Sequence, residues 1–233
     1  MTARAFSREG RRLLALFDLD GTLLTGPSSE RRFGAWLFRR RAIGWRQGLA
    51  WTSYLVRFAH RDRGDVLRRN KGYVAGLPSG ELAALARAHV DEVLLAGGVI
   101  DQQAAAALER HRRAGDRIAL LSGTLQPLAD AYARSLGIEF AIGSLAPSRG
   151  TRHVVGPPER HPYGPAKRAL AERTRIALDI ERADTVAYGN SHADRFLLES
   201  AGVAVAVEPD RALARLATAR GWAILRHRRD VER

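Results

Sequence analysis

The chain has 233 residues, 45% hydrophobic and 27% charged, which is enough for one large domain or a domain carrying an insertion. It contains no cysteine, which excludes disulfides and thiolate chemistry and fits a reducing cytoplasm, the expected location. The formal net charge of +13 points to anionic partners, whereas no apolar run reaches the ~18 residues of a membrane span.

The carriers of that charge are uneven. Lys71 and Lys167 are the only lysines and every other basic residue is arginine, so much of the charge reads as a coding bias rather than a binding patch. Asparagine is equally scarce, with only Asn70 and Asn190.

Residues 1–12 read as a polar, basic lead-in, and the apolar run after it is too short for a signal-peptide core. Residues 13–18 form a strand that ends in Asp18-Leu19-Asp20-Gly21-Thr22. Strand periodicity sends Asp18 and Asp20 to the same side. Two carboxylates that close repel unless a cation lies between them, and magnesium, an oxygen-liganded partner of phosphate, is the economical choice. The bland alternative is an acidic turn, since Asp-Gly is a common turn pair.

Residues 27–95 have helical patterning. The first part, 33–58, interleaves Trp36, Phe38, Trp45, Trp51, Tyr54 and Phe58 with Arg39, Arg40, Arg41, Arg46 and Arg57. It reads either as an ordinary helical core with solvated arginines or as a surface that rests on an anionic membrane. Ser79 is the expected N-cap of a further helix closed by Gly97-Gly98.

From residue 99 helices and strands alternate. Helices are expected over 102–113, 128–136, 165–178, 195–201 and 211–220, and strands over 117–121, 138–142, 185–188 and 203–207. A Gly/Pro-rich loop with a small hairpin near His153 fills 143–164. This alternation implies a parallel sheet with right-handed crossovers. Parallel sheets bind ligands at the C-terminal edges of their strands. Three strands should end there in phosphate chemistry: the first in Asp18 and Asp20, the second in Ser122-Gly123-Thr124, the fourth in Asn190 and Asp194. Lys167, 23 residues before Asn190, would neutralise carboxylate and phosphate alike.

Taken in order, Asp18-x-Asp20-Gly-Thr, Ser122, Lys167 and Gly189-x-Ser191-x-x-Asp194 resemble the four signature motifs of the haloacid dehalogenase superfamily of phosphohydrolases. The resemblance covers essentially the whole chain. The helical segment after the first motif resembles the cap of the phosphoserine phosphatase-like branch. The resemblance implies a three-layer α/β, Rossmann-like core with a central parallel sheet (1–26 plus 96–233) and a mainly helical cap inserted after the first strand (27–95). It implies a magnesium-dependent phosphomonoester hydrolase acting through an aspartyl-phosphate, with Asp18 as nucleophile and Asp20 as general acid and base. Ser122, Gly123, Gly21, Thr22 and Lys167 would bind phosphate, and Asp18, Asp20, Asn190 and Asp194 would hold magnesium. Relatives usually carry Asp at the place of Asn190, so weaker magnesium binding is expected here.

Ser28, Ser29, Glu30, Arg31 and Arg32 fall about where relatives contact substrate. His153 and His161 read as surface residues and His192 as a solvent-facing loop residue. The expected substrate is a small phosphorylated metabolite or a lipid headgroup phosphate. A phosphotransferase would share every motif, and a non-catalytic phosphate- or nucleic-acid-binding module stays open as an alternative. No nucleic-acid motif is present, so nucleic acid is not the expected partner. The expected assembly is a monomer or homodimer.

Overall fold

In the computed structural model, which describes residues 12–226, the first strand, β1 (Leu14–Phe17), sits at the centre of a six-stranded sheet. The helices α1 (Ser29–Arg39), α2 (Trp45–Arg57), α3 (Arg63–Arg69) and α4 (Ser79–Ala96) come after it without an intervening strand of the sheet. Then come α5 (Gln102–Ala114), β2 (Arg117–Leu125), α6 (Gln126–Ser135) and β3 (Phe140–Ser144). A hairpin of β4 (Ser148–Arg149) and β5 (Arg152–His153) precedes α7 (Pro165–Ala177), β6 (Thr185–Gly189) and α8 (Arg195–Glu199). The chain continues through β7 (Val203–Val207), α9 (Arg211–Arg220) and β8 (Ala223–Leu225). The lead-in over 1–11 and the basic tail from 227 lie outside the described residues.

The strand order is β3-β2-β1-β6-β7-β8, and every pairing in this sheet is parallel. The chain builds outward from β1 on one side, then returns to build outward from β6 on the other. The order therefore reverses beside β1, and this reversal opens a crevice at the C-terminal ends of β1 and β6. The sheet is covered on both faces, which is why β1 is apolar at every position. Ala15 and Phe17 enter one core cluster, and Leu14 and Leu16 the other. A fully buried Leu or Phe stabilises by about 1.5–3 kcal/mol, so this four-residue strand firmly anchors the carboxylates at its C-terminal end.

The first cluster extends into the helical segment through Phe33, Trp36, Leu37, Val74, Leu77 and Leu82. The aromatic run does not all go inward, however. Trp45, Leu49 and Val56 lie on one outward stripe of α2 and are 72%, 61% and 73% exposed, and Phe38 of α1 is also exposed. The expectation of an ordinary apolar core holds for Phe33, Trp36 and Tyr54 but not for these residues.

Several boundaries differ from the sequence reading, among them α8, which ends at Glu199 rather than 201. β2 does not stop at Leu121 but runs through Ser122-Gly123-Thr124 to Leu125, with a register shift against β3 between Leu121 and Leu125. Those residues therefore bulge out of a strand rather than open a helix, which starts only at Gln126. β3 starts two residues later than expected, because Ile138 closes α6 by donating its N–H to Ala133 O. Ser79 is the first residue of α4 rather than its cap, and its hydroxyl donates instead to Thr151 O in the β4–β5 turn.

Candidate active site

Asp18 continues β1 by one residue, its N–H donating to Tyr188 O of β6 at 3.0 Å. That bond carries its side chain to the sheet edge and into the crevice. Lys167, in the first turn of α7, donates from Nζ to Asp18 Oδ1 at 2.6 Å and to Asp194 Oδ1 at 2.6 Å. Asp194 Oδ2 accepts from Ser191 Oγ at 2.7 Å and from the N–H groups of Ser191 and Asn190 at 3.0 and 3.3 Å. Asp20 accepts from the helical segment: Ser29 N–H donates to Oδ1 at 2.6 Å and Ser29 Oγ to Oδ2 at 3.0 Å. Asp18, Asp20, Ser122, Gly123, Lys167, Asn190 and Asp194 line one cavity of about 650 Å³.

Two carboxylates, Asp18 and Asp194, thus share one ammonium, and the third, Asp20, lines the same cavity. Burial pushes the Asp18 carboxyl well up; Lys167 pulls it back, and the charges of Asp194 and Asp20 push it up again. Burial also acts on Asp194, but Lys167 and the Ser191 bonds outweigh it and hold that group below its ordinary value. Burial raises Asp20 against the opposing bonds from Ser29. For Lys167 burial works against the charge, yet the two carboxylates lift it above the usual lysine range, so it stays ammonium. One lysine leaves a surplus of negative charge on this cavity wall.

That surplus is what a divalent cation would neutralise. Among the described residues no three His, Cys, Asp or Glu side chains form a chelating cluster. The donors at hand are oxygens from Asp18, Asn190 and the main chain. Such a set suits magnesium, which takes one or two carboxylates and fills the rest of its shell with water and phosphate. Asn190 packs tightly over the turn after β1. A Cβ at Gly21 would lie 2.0 Å from Asn190 Nδ2, and Gly21 has φ +82°, so any side chain there would be strained and would displace Asn190.

Several expected site residues are placed elsewhere. Gly21 donates its N–H to Leu24 O at 2.7 Å, and Thr22 its N–H to Leu19 O, so neither amide faces a phosphate. The Thr22 hydroxyl is buried and donates to Asp18 Oδ2 at 3.3 Å. Ser28, Glu30 and Arg31 do line the cavity, and Ser29 reaches it through Asp20. Arg32 turns away: its guanidinium donates to Thr25 O and lines a separate cavity between α1 and α4. His192 is exposed, as expected. His161 is only 7% exposed and lines the same cavity as Asp18 and Lys167, so it is no surface residue.

Sequence reasoning missed much of the far wall: Trp51, Arg68, Lys71, Tyr73 and Tyr163 join His161 there. One signal was present. The chain has two lysines, and both line this cavity. Lys71 is buried and donates to Glu30 Oε1 at 2.5 Å and to Gly123 O at 3.3 Å.

The family model for haloacid dehalogenase-like hydrolase matches residues 15–199. The chain belongs to that family. A Mycobacterium tuberculosis protein named phosphoserine phosphatase is 32% identical to this haloacid dehalogenase-like hydrolase over 219 residues, covering 90% of the chain and 69% of the relative. A Streptomyces azureus protein named for inhibition of morphological differentiation is 30% identical, covering 94% of the chain and 80% of the relative. Among solved structures, a Bordetella pertussis protein of unknown function superposes with TM-score 0.75 at 24% identity, covering 92% of this chain and 98% of its own. A substrate-bound phosphoserine phosphatase superposes with TM-score 0.61 at 16% identity, covering 93% and 94%. These structures share the fold of this hydrolase.

Proposed function

We propose that this chain is a magnesium-dependent phosphomonoester hydrolase that works through an aspartyl-phosphate. The observation that carries the proposal is Lys167 bridging Asp18 and Asp194 in the same cavity as Asp20 and Ser122. In the first step an Asp18 carboxylate oxygen attacks phosphorus, the bond from phosphorus to the ester oxygen breaks, and Asp20 protonates the departing oxygen. In the second, Asp20 takes a proton from water, the water oxygen attacks phosphorus, and free phosphate leaves as Asp18 is regenerated. The Ser122 hydroxyl and the N–H of Gly123 hold phosphoryl oxygens. Lys167 offsets charge on Asp18 and the transferring group, and such electrostatic positioning is most of what phosphoryl transfer needs.

Asp18, the Asp20 carbonyl and Asn190 would hold magnesium, with Asp194 behind them. Bound there, it would neutralise phosphoryl charge as a Lewis acid. Residues 27–95 act as a cap in this reading. Closure excludes water in the first step, and opening admits it for the second.

The substrate is a small phosphorylated metabolite or a lipid headgroup phosphate, handled in the cytoplasm. The exposed Trp45, Leu49 and Val56 stripe, beside Arg46 and Arg57 on α2, supports contact with an anionic membrane. The deciding experiment is phosphate release from an aryl phosphate and a panel of metabolite and lipid phosphates, with and without magnesium, beside Asp18→Asn. Magnesium-dependent release that the variant abolishes is the expected result. No release from any ester at raised magnesium returns the chain to the binding-module reading. Appearance of the phosphoryl group on an added alcohol would mark a transferase.

A further inference from the structure

The same cavity holds a histidine whose Nδ1 proton is placed by geometry. Ser144, the last residue of β3, places its Oγ 2.6 Å from Gly123 O and 2.7 Å from His161 Nδ1. A carbonyl only accepts, so the single hydroxyl hydrogen points at Gly123. His161 Nδ1 must then donate to the same Oγ, and it carries the ring proton. The ring is neutral: burial first, then the charges of Lys71 and Arg69, press its pKa down to about 3. Nε2 is therefore a bare acceptor.

That acceptor is buried and has no hydrogen-bond partner among the described residues. The histidine cannot swing away from this position without cost. Its loop is pinned to the end of β3 by the Leu145 N–H to Arg160 O and Glu159 N–H to Leu145 O bonds, both 2.9 Å. A Cβ on Gly123 would lie 3.5 Å from His161 Cε1, so the ring edge between the two nitrogens stands over Gly123. An unpaired buried acceptor is costly, and one that lines a cavity is explained by a ligand that pairs with it. Tyr73 lines the same cavity, and its hydroxyl is also buried without a partner among the described residues.

We propose that His161 Nε2 and the Tyr73 hydroxyl form the leaving-group subsite, and that they select phosphomonoesters whose leaving group carries a hydroxyl near the ester oxygen. A hydroxyl suits both partners because it donates and accepts. An ammonium does not suit them. Glu30, a further carboxylate of this cavity, is already paired with Lys71, and the buried Lys71 charge repels a second cation. This assignment rests on the phosphohydrolase reading for the position of the phosphoryl group next to Gly123.

The test separates the two readings by using binding as well as turnover. Calorimetric titration of Asp18→Asn with glycerol phosphate, propyl phosphate and 2-aminoethyl phosphate needs no chemistry. Tighter binding of glycerol phosphate than of the other two, by about tenfold, is the expected result, since a site built for a hydroxyl rejects the analogue without one. In the Asp18→Asn, His161→Leu double variant the ratio to propyl phosphate falls to about one. His161→Gln, which keeps an acceptor at that reach, restores part of it and shows that the change is not loss of fold. Equal binding of glycerol and propyl phosphate before His161 is changed, or a ratio unmoved by His161→Leu, overturns the subsite. So does 2-aminoethyl phosphate binding as tightly as glycerol phosphate. A glycerol phosphate headgroup on diacyl lipid in vesicles carries the same hydroxyl, and comparing it with the free ester tells which source the subsite serves. If the hydroxyl preference appears in binding while the otherwise unaltered protein releases no phosphate, the subsite stands and the hydrolase reading fails.

Discussion

Asp20 is bonded twice to Ser29, the first residue of α1, through the amide at 2.6 Å and the hydroxyl at 3.0 Å. The carboxylate thus sits on the N-terminal turn of the helical segment, where unpaired amides and the helix dipole favour negative charge. Ser29 Oγ is also 2.8 Å from Thr124 Oγ1 of β2. One side chain therefore ties the proposed acid, the helical segment and β2 together. Ser29→Ala keeps the amide bond and loses the hydroxyl bond. Its expected effect is a fall in kcat of about tenfold with KM little changed, since a bond to a charged group is worth roughly 1.5–3 kcal/mol and part is retained. The Ser29 bonds lower the Asp20 pKa, so the Asp20 limb of the kcat profile moves to higher pH in the variant. A KM effect with an unmoved pH profile would make Ser29 a substrate contact instead.

Lys167 is the next test. Replacing it by Met leaves Asp18 and Asp194 buried with no cation between them. Breaking one partner of a buried pair destabilises by about 3–5 kcal/mol, partly relieved here as Asp18 takes up a proton. The expected outcome is loss of turnover by at least 100-fold together with a lower urea midpoint. A variant with unchanged stability would mean that the two carboxylates do not depend on this ammonium.

At Asn190 the sign of the change is the informative part. Asn190→Asp adds a fourth carboxylate to a wall already rich in negative charge. Without magnesium the variant should melt at a lower temperature than the parent, because the added charge is uncompensated. With magnesium its affinity for the ion should rise by about 1–2 kcal/mol, roughly tenfold, and the melting shift on adding the ion should grow. A magnesium titration of phosphate release and of melting temperature reads both. An unchanged titration would place Asn190 outside the ion's reach.

How far this arrangement can be read from the chain depends on which contacts are local. Asp18 and Asp20 were legible because strand periodicity and an apolar run fix a side and an edge. Lys167 was legible as a lysine in the first turn of a helix after a Gly/Pro loop. Ser29 was visible only as one of several polar residues opening a helix. Its bond to Asp20 depends on how that helix docks, which no local pattern encodes. His161 was misjudged for a similar reason. A histidine in a loop without metal-ligand spacing gives no burial signal, and its partner Ser144 lies on a different element. The outward stripe of α2 was hidden because Tyr54, facing inward, interrupts the same aromatic run.

Two buried histidines make a pH prediction with a definite sign. His89 packs against the rings of Phe33 and Trp36, at 5.3 and 5.4 Å, with neither ring nitrogen bonded. Burial presses its pKa down to about 4, and that of His161 to about 3. Below the ordinary value of 6.5 the unfolded chain takes up protons at these two sites and the folded chain does not. Stability therefore falls as pH drops from about 6.5 toward about 4, by up to about 1.4 kcal/mol per pH unit for each group. His89→Leu removes one of these groups and an unpaired polar atom from the core. It should flatten the acid limb of a melting-temperature profile while leaving stability at pH 8 equal or higher. An acid limb unchanged in the variant would assign it to other groups, the depressed His161 and His111 first among them.

The last prediction concerns the outer face of α2. Trp45, Leu49 and Val56 fall within a narrow stripe at helical spacing, and Phe38 of α1 is exposed as well. The inward side of the same helix is held by buried Tyr54, while Asn70 donates from Nδ2 to Trp51 O at 2.9 Å. The stripe is therefore not displaced core. None of the described residues covers it, and Arg46 and Arg57 border it with positive charge. On an anionic bilayer those apolar side chains would leave water while the arginines meet headgroups, each contributing about 1 kcal/mol near the surface. Co-sedimentation with phosphatidylserine-containing vesicles should bring the protein down at low salt, and markedly less with neutral vesicles or at high salt. The double change Trp45→Ser, Val56→Ser should abolish sedimentation without altering turnover of a small soluble phosphate ester, because neither side chain lines the catalytic cavity. Equal sedimentation of parent and variant would show that the stripe is not what touches the bilayer, and the charge of the chain as a whole would then account for the binding.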